Sequence, residues 1–374
     1  MRVGVALRYL RPGRVGGSEV YCHSLVAALR ELDVELVLFC SAEAADGFAA
    51  GPNVTVVPAR RPYSAGGRLA AENLGLARHV RRHGLDLLFF PANFGAPLLP
   101  SRVPQVVTVH DLQHQWLPQH LPRRVRWERS LLFGATFARR STRVIAISDF
   151  TRADLLHRWR LAPERVTTVL EGVPEEVPAN PERQLRTSRE LGLHRPFVFY
   201  PAADHAHKNH LGLVRALARL HECHGPELDL VLTGSRGSVW AEAEAEAARL
   251  GIAEHVRHLG FVERGQLFDL FHLASVMAFP SEFEGFGLPL LEAQRCGLPV
   301  VASTAASIPE VSGGAAVLVG PHDVEGWAAA LHRAHGDVEL RADLIARGHA
   351  NVDRFSWEQC ARETLAVFED ALRG

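Results

Sequence analysis

The sequence predicts an α/β protein built from two doubly wound domains in tandem. Short apolar runs alternate with helical stretches in both halves of the chain, and this alternation stops once, around Leu170–Arg195. Strands that alternate with helices favour parallel sheets covered by helices on both faces. The 374 residues are long for one domain and sufficient for two.

The first half contains five apolar runs of the length and composition of buried parallel strands. Helical stretches lie between them, such as Ser18–Leu32 and Gly67–His83. We therefore expect an N-terminal Rossmann-like domain over residues 1–175. Its predicted strands are Val3–Leu7, Glu35–Phe39, Leu85–Phe90, Gln105–Val109 and Arg143–Ile147.

The interruption has the sequence EGVPEEVPANPERQ, and its proline and glutamate content predicts an interdomain linker over residues 176–195. A second Rossmann-like domain is expected over 196–354. A final amphipathic helix, Trp357–Leu372, lies in residues 355–374, which we expect to pack back on the N-terminal domain. The predicted strands of the second domain are Pro196–Tyr200, Leu228–Thr233, Val256–Leu259, Val276–Phe279, Pro299–Ala302 and Ala316–Val319, and its helices include His210–His221 and Ser238–Leu250.

The composition, 47% hydrophobic and 22% charged, is that of a soluble globular protein, and no run of about 18 apolar residues indicates a membrane span. The N-terminal MRVGVALRYL reads as a first strand and not as a signal peptide. Five scattered cysteines without a C-x-x-C pair suggest neither a disulfide framework nor a zinc site. We therefore expect a cytoplasmic protein.

The net charge of −1 hides a strong asymmetry. Residues 1–170 hold 23 arginines, no lysine and 13 acidic residues, a formal charge of +10, and the remainder carries −11. The positive half suits an anionic acceptor or membrane headgroups, or is simply a solvated arginine-rich surface. The stretch Arg123–Arg143 mixes seven arginines with Leu, Phe and Trp, which fits a peripheral membrane contact or arginine stems that cover apolar surface.

A single lysine, Lys208, stands against 40 arginines. It lies in Tyr200-Pro-Ala-Ala-Asp-His-Ala-His-Lys-Asn-His210, between a predicted strand and a helix. A lone lysine among so many arginines marks a position where a compact ammonium is needed, or has survived by chance. At the carboxyl end of a strand it is placed to neutralise a diphosphate.

The strand Val276–Phe279 is followed by a run that places Glu284 and Glu292 eight residues apart. Its intervening residues Gly285, Phe286, Gly287 and Leu288 lead into a helix with Pro289 in its first turn. The amides of Gly287 and Leu288 would face an anion at the helix N-terminus, with Glu292 able to accept hydrogen bonds from a ribose and Glu284 able to reach a sugar. Alternatively, this is an ordinary connection with surface glutamates.

The string E-G-F-G-L-P-L-L-E-A resembles family 4 of the retaining glycosyltransferases, and the similarity continues through Pro299-Val-Val-Ala-Ser and Ser307-Ile-Pro-Glu-Val. The resemblance implies the GT-B fold, with two Rossmann-like domains that face each other across a cleft. It assigns Glu292 to the ribose, Glu284 to the donor sugar and Lys208 to the diphosphate. The family often has an arginine where this chain has Ala202, so His205 or Arg236 would have to compensate.

The resemblance also implies site residues at other strand ends. It places His110, in Thr108-Val-His-Asp-Leu112, beside the donor sugar and Val262 of Gly260-Phe-Val beside the nucleotide base. A glycine-rich loop over Gly16 and Gly17 would approach the phosphates. Two further candidates are Ser148, which lines the cleft or caps a helix, and Gly234, which ends a predicted strand.

These features together predict transfer of a hexosyl group from a GDP- or UDP-linked sugar to a hydroxyl of a glycan, a lipid-linked acceptor or a small molecule. The resemblance implies front-face attack with retention. We expect no cofactor and no metal, since no D-x-D motif is present, and no nucleic-acid partner. The alternatives are a sugar-nucleotide 2-epimerase of the same fold and a non-catalytic nucleotide-sugar-binding module. A dehydrogenase is disfavoured because G-x-G-x-x-G does not follow the first strand.

Overall fold

The structure is a computed structural model that describes residues 1–11, 16–59, 76–93, 103–130 and 141–374. The chain divides into two compact units. Unit 1 comprises Met1–Gly172 together with Phe355–Gly374, and unit 2 comprises Val173–Arg354.

Unit 1 contains, in its described part, a seven-stranded parallel sheet of order β3-β2-β1-β4-β5-β6-β7. Chain order reverses between β1 and β4, and loops at such a switch point form ligand-binding crevices. The strands are β1 Arg2–Leu7, β2 Glu35–Ser41, β3 Val54–Ala59, β4 Leu87–Phe90, β5 Gln105–Val109, β6 Arg143–Ala146 and β7 Val166–Thr168.

The helices of unit 1 cover this sheet. The C-terminal helix packs against α1, and its buried Phe368 ring lies 5.0 Å from the Phe89 ring. The end of the chain thus completes the core of unit 1. The described helices are α1 Gly17–Leu29, α2 Ala42–Ala45, α3 Leu76–His83, α4 Gln113–Trp116, α5 Arg123–Arg129, α6 Asp149–Arg158 and, after unit 2, α15 Trp357–Arg373.

Unit 2 is built around a six-stranded parallel sheet of order β10-β9-β8-β11-β12-β13, with its switch point between β8 and β11. The strands are β8 Phe197–Pro201, β9 Asp229–Thr233, β10 Val256–His258, β11 Val276–Phe279, β12 Val300–Ser303 and β13 Val317–Val319. The helices are α7 Pro181–Glu190, α8 His210–His224, α9 Ser238–Arg249, α10 Arg264–Leu273, α11 Leu288–Arg295, α12 Ile308–Ser312, α13 Val324–Gly336 and α14 Val338–Val352.

The linker expected over 176–195 is wrong in its central part, because α7 occupies Pro181–Glu190. The Asn180 side chain caps this helix by accepting a hydrogen bond from the Arg183 amide at 2.9 Å. On its inner face, Thr187 Oγ1 donates to Asp269 Oδ2 at 2.8 Å and Arg183 Nε donates to Asp269 Oδ1 at 2.9 Å. The proline that suggested a linker instead opens a helix, where its missing N–H costs nothing.

The predicted strands are present within one or two residues, and two further strands were missed. One is β3, an edge strand whose Pro58 resembles a strand breaker; proline is tolerated there because an edge strand has one unpaired side. The other is β7, only three residues long. Helix α1 ends at Leu29 and not at Leu32, and the first part of the helix predicted over Gly67–His83 lies outside the described residues.

Candidate active site

The candidate residues of unit 2 all follow the carboxyl ends of neighbouring parallel strands. Lys208 follows β8, Gly234 follows β9, Val262 follows β10, and the run from Glu284 to Glu292 follows β11. Because the strands are parallel, these loops share one edge of the sheet, on both sides of the switch point between β8 and β11. The topology therefore assembles residues that are up to 84 positions apart in the sequence.

Lys208 and Glu284 form a close ion pair. The Lys208 Nζ donates to Glu284 Oε1 at 2.6 Å, and the two side chains are only 17% and 13% exposed. The ammonium also lies 5.9 Å from the centre of the Phe279 ring. The predicted phosphate-binding cation and the predicted sugar-binding carboxylate thus occupy one site.

The backbone around Lys208 is fixed on both sides. The hydroxyl of the buried Tyr200 donates to the Lys208 carbonyl at 3.0 Å and lies 3.0 Å from Ser281 Oγ. Asn209 adopts a left-handed conformation (φ 55°) and caps α8 by accepting from the Gly212 amide. Its side-chain amide donates to the Pro321 carbonyl at 2.7 Å. These bonds position the ammonium before any ligand arrives.

The loop that carries Glu284 is held by buried hydroxyls of β12 and the loop after it. Ser307 Oγ donates to the Glu284 carbonyl at 2.9 Å and to the Phe286 carbonyl at 3.1 Å. Ser303 Oγ donates to the Ser281 carbonyl at 2.6 Å. The side chains of the Ser-x3-Ser stretch therefore shape the loop of the adjacent strand.

Gly287 makes the turn into α11. Its φ of 116° favours glycine, and an added Cβ would approach the Phe279 ring at 3.3 Å. Leu290 N donates the first intrahelical hydrogen bond to the Gly287 carbonyl. The amides of Gly287 and Leu288 precede that bond and have no partner within the helix, so they suit an anion.

Glu292, one turn into α11, lies in an unusual environment for a carboxyl group. Burial raises its pKa to about 7, although the charges of Arg264 and Arg295 oppose the shift. Among the residues the structure describes, its carboxyl group has no hydrogen bond and no ion pair. It is therefore available to accept hydrogen bonds from a ligand.

Gly234 and Gly260 bring the loops after β9 and β10 together. Gly234 N donates to the Gly260 carbonyl at 2.9 Å, and both glycines have positive φ values of 123° and 74°. A Cβ on Gly234 would collide with the backbone of Ala202. The next residues form an open rim, where Phe261 is 79% exposed and Val262 is partly buried.

His110, at the end of β5 in unit 1, is held between two acceptors. Its Nε2 lies 3.0 Å from the Pro91 carbonyl oxygen, and its Nδ1 lies 3.3 Å from Glu171 Oε1. Burial lowers the pKa of His110, but the hydrogen bond and charge of Glu171, together with the Pro91 carbonyl, outweigh it and the pKa is raised. The geometry therefore favours the doubly protonated ring.

The surroundings of His110 are also fixed. The Tyr21 ring packs edge-on against the imidazole at 4.8 Å, and its hydroxyl lies 3.1 Å from Thr108 Oγ1. The backbone N–H of His110 donates to Asn93 Oδ1 at 2.8 Å.

The glycines that follow β1 in the sequence lie at the start of α1. Gly16 (φ 65°) is the N-cap residue of α1, and no heavy atom among the described residues lies within 4 Å of a Cβ placed on Gly16 or Gly17. That opening leaves room for a ligand at the N-terminus of α1.

Comparison with known proteins assigns the chain to a family. Residues 15–177 match the family model described as Glycosyltransferase Family 4, and residues 182–350 match Glycosyl transferases group 1. The O-antigen chain mannosyltransferase B of Escherichia coli is 32% identical over 291 residues, which cover 76% of this chain and 74% of the relative. The chain belongs to glycosyltransferase family 4.

Two further similarities extend this result. The D-inositol 3-phosphate glycosyltransferase of Corynebacterium kroppenstedtii is 31% identical over 291 residues. The aligned region covers 73% of this chain and 63% of the relative, which is less than two thirds of that protein. The Anabaena protein HepE, solved in complex with UDP and glucose, superposes with a TM-score of 0.77 at 20% identity, with 99% of this chain and all of that chain covered. The fold is therefore GT-B, with two parallel-sheet α/β domains.

Glu171 is a partner of the candidate residue His110 that sequence reasoning missed. It lies just after β7, is 3% exposed and contacts His110. The sequence predicted His110 but gave Glu171 no role, because it opens the proline-rich stretch that resembled a linker. The signal in the sequence was weak, because β7 is only three residues long, has one buried side chain and was itself missed.

Three candidates have internal partners. Ser148 is fully buried and caps α6, where its Oγ accepts from the Thr151 amide at 3.1 Å, so of its two predicted roles the structure shows the cap. Arg236, one of two groups considered as a substitute for the arginine absent at Ala202, donates from its guanidinium to the His258 carbonyl. His205, the other, stacks on His207 with ring centres 5.6 Å apart.

The arginine-rich stretch Arg123–Arg143 is described only in part. Helix α5 presents three arginines and Trp127, which is 69% exposed, whereas Arg139 and Arg140 lie outside the described residues. In the part of the chain that the structure describes, no helix is both long and apolar enough to cross a bilayer.

Proposed function

We propose that this glycosyltransferase transfers a hexosyl group from a GDP- or UDP-linked sugar to an acceptor hydroxyl, with retention of the anomeric configuration. The observation that carries the proposal is the Lys208–Glu284 ion pair, which lies beside the N-terminus of α11. The unpaired Glu292 lies one turn into that helix. One site thus offers a cation and amides for phosphate, one carboxylate for a sugar and another for a ribose. The names of the E. coli mannosyltransferase and of the HepE complex with UDP and glucose support this donor class.

The ion pair suggests how donor binding prepares the site. Without donor, Glu284 neutralises the mostly buried Lys208 ammonium at 2.6 Å. A bound diphosphate would compete for the same ammonium, because phosphate oxygens carry more charge and offer more acceptors than one carboxylate. Glu284 would then be released to accept a hydrogen bond from a hydroxyl of the donor sugar. Lys208 would thereby exchange its Glu284 partner for the diphosphate.

The reaction itself would break the bond between the anomeric carbon and the leaving phosphate oxygen. Lys208 and the amides of Gly287 and Leu288 would stabilise the negative charge that develops on the diphosphate. The acceptor oxygen would form its bond to the anomeric carbon from the same face, and its proton would pass to the departing phosphate oxygen. No covalent enzyme nucleophile is needed in this scheme.

Unit 1 offers its own candidate ligand contacts, His110, Gly16 and Gly17. The protonated imidazole of His110 has two internal acceptors, Glu171 and the Pro91 carbonyl. If one of them gave way to a ligand, the freed N–H would donate a hydrogen bond to a sugar hydroxyl. The amides that follow Gly16, at the N-terminus of α1, would suit an anionic group of a ligand. The acceptor would be a glycan, a lipid-linked sugar or a small molecule bound at this unit.

The first experiment is a release assay with GDP-mannose, UDP-glucose and their relatives. We expect nucleoside diphosphate to appear rapidly only when an acceptor is present, with slow hydrolysis otherwise. A 2-epimerase would convert the nucleotide sugar to its C2 epimer, or hydrolyse it with water, without any acceptor. A non-catalytic binding module would be stabilised by a nucleotide sugar in a thermal-shift assay, yet would turn none over. Either of those outcomes contradicts the proposal.

A further inference from the structure

A second group of chemically active side chains lies in unit 2, apart from the Lys208–Glu284 pair. Glu176 comes from the segment before α7, His272 from the last turn of α10, and Cys296 from the C-terminal end of α11. One carboxylate oxygen, one imidazole nitrogen and the thiol sulfur all lie within 4.8 Å of one another, and all three residues are partly buried. Three different segments thus bring together three different ligand types.

The His272 imidazole is aimed at this cluster. Its Nε2 is buried, and in the described part of the chain it makes no hydrogen bond of good geometry. The nearest acceptor is Glu176 Oε1 at 3.2 Å. A buried ring nitrogen that faces a carboxylate and a thiol without a proper hydrogen bond has the environment of a metal ligand that lacks its ion.

The spacing fits a tetrahedral ion. Bonds of about 2.0–2.3 Å from zinc to nitrogen, oxygen and sulfur place its ligand atoms about 3.3–3.8 Å apart. The 3.2 Å separation of His272 Nε2 and Glu176 Oε1 is close to that value, and no two of the three atoms are more than 4.8 Å apart, so a shift of the thiol by at most about 1 Å completes the spacing. A rotation of the Cys296 side chain provides such a movement.

The peptide groups around Glu176 are already held. Arg295 donates to the Pro174 carbonyl at 2.8 Å, and Arg264 donates to the Glu175 carbonyl at 2.7 Å. These bonds attach the segment to α11 and to α10, the helices that also supply Cys296 and His272. Glu176 additionally lines an open depression of about 690 Å³, which gives an ion a route from solvent.

We propose that Glu176, His272 and Cys296 form a structural Zn²⁺ site with water as the fourth ligand. A nitrogen, an oxygen and a sulfur donor together suit Zn²⁺ better than Mg²⁺ or Ca²⁺, which prefer oxygen alone. The ion would tie the start of unit 2 to the C-terminal ends of α10 and α11. It has no part in the transfer step, so it is compatible with metal-independent chemistry at Lys208.

The test uses the full chain without a histidine tag, freed of metal with EDTA and titrated with Co²⁺ as a spectroscopic probe for Zn²⁺. We expect one equivalent to produce a thiolate charge-transfer band and the visible bands of a tetrahedral site, which Zn²⁺ then abolishes. Cys296→Ser should remove the charge-transfer band. Cys223→Ser should leave it unchanged; this matched control removes an exposed free thiol that lies beside His224.

Two further readouts do not depend on Cys296 alone. His272→Ala should weaken Co²⁺ binding by about 100-fold. Zn²⁺ should raise the melting temperature of the wild-type protein, because it binds the folded chain, and should not raise that of Cys296→Ser. The proposal is overturned if no charge-transfer band forms, if the band persists in Cys296→Ser, or if Cys223→Ser removes it. None of these measurements involves a nucleotide sugar, so they are independent of the proposed activity.

Discussion

Glu292 is a carboxyl group in a position that favours its neutral form. Burial raises its pKa to about 7, and no hydrogen bond or ion pair of its side chain is found among the described residues. A folded-state pKa above the unfolded value means that the folded protein binds the proton more tightly. This contribution to stability is present at low pH and is lost as the pH rises from about 4.5 through about 7. An arrangement of this kind lowers stability in exchange for a ligand contact.

We therefore expect Glu292→Gln to stabilise the protein without ligand above pH 7. One pKa unit corresponds to about 1.4 kcal/mol, so the gain at pH 8.5 should be about 1–3 kcal/mol and should shrink toward pH 5. Urea denaturation at the two pH values measures it. Equal stability of the variant and the wild type at pH 8.5 would contradict the buried, unpaired position of this carboxyl group.

The His110–Glu171 pair should make the stability of unit 1 depend on pH in the same direction. The pKa of His110 is raised, so its contribution to stability is full below its unfolded value and is lost as the pH rises through the higher folded value. Glu171→Gln keeps a hydrogen-bond acceptor but removes the charge, and should lower the pKa of His110. An NMR titration of the imidazole checks this. Glu175→Gln, at an exposed neighbouring position, should leave the titration unchanged.

Lys208 should tolerate neither alanine nor arginine. Removal of one donor that stabilises the leaving group typically lowers kcat by about 10²–10³-fold. Lys208→Arg retains the charge, but a planar guanidinium differs in shape and donor geometry from the compact ammonium that contacts Glu284 and Phe279, so we expect little recovery.

Steady-state turnover of the donor sugar measures this loss, with circular dichroism as the check on folding. Glu254→Gln, whose side chain is 84% exposed, serves as the control and should retain full activity. Full activity of Lys208→Arg would show that a simple positive charge is sufficient at this position.

At the scale of the elements, α7 shows how a short helix is held by one buried side chain. Asp269 of α10 is fully buried and accepts hydrogen bonds from Thr187 and Arg183 of α7. The helix itself is polar, and Thr187 is its only residue classed as buried. Its attachment to unit 2 therefore depends on this carboxylate more than on apolar packing.

Replacement of Asp269 by alanine should accordingly be costly. Loss of one partner from a buried, hydrogen-bonded ion pair typically costs about 3–5 kcal/mol, because the other charge is left without compensation. Urea denaturation followed by far-ultraviolet circular dichroism checks this value. Glu182→Gln, on the exposed side of the same helix, should change stability by about 0.5 kcal/mol or less. Equal effects of the two substitutions would show that α7 is not anchored through Asp269.

At the scale of the whole molecule, the charge asymmetry is a property of the entire chain. The first 170 residues carry +10 and the rest −11. On α5, exposed arginines flank Trp127, which combines charge with an aromatic ring suited to a membrane interface. This combination makes binding to an anionic surface a testable expectation for this part of unit 1.

We expect the protein to bind vesicles that contain phosphatidylglycerol and to bind neutral phosphatidylcholine vesicles much more weakly. Binding should fall as NaCl rises from about 0.05 to 0.5 M, because salt screens exposed charges. Cosedimentation measures it. Substitution of Arg123, Arg124 and Arg126 by glutamine should reduce binding, whereas the same change at Arg186 and Arg189 of α7 should not. Equal binding to both kinds of vesicle would contradict this role.

The sequence by itself determined the α/β class, the alternation of the elements and most of the residues of the candidate site. These features are local: buried strands appear as short apolar runs, and Gly287, Pro289 and the two glutamates lie within nine residues of one another. The edge strand β3 and helix α7 were missed because proline has the same local appearance in a linker, at a sheet edge and in the first turn of a helix.

Only the tertiary structure decided which of these residues meet. The pairing of Lys208 with Glu284, of His110 with Glu171, and of Glu176 with both His272 and Cys296 joins segments 61 to 120 positions apart. Such contacts depend on strand order and on the switch points of parallel sheets, which hydrophobic periodicity does not encode. Partner choice, and with it the protonation of His110 and Glu292, is therefore a property of the fold.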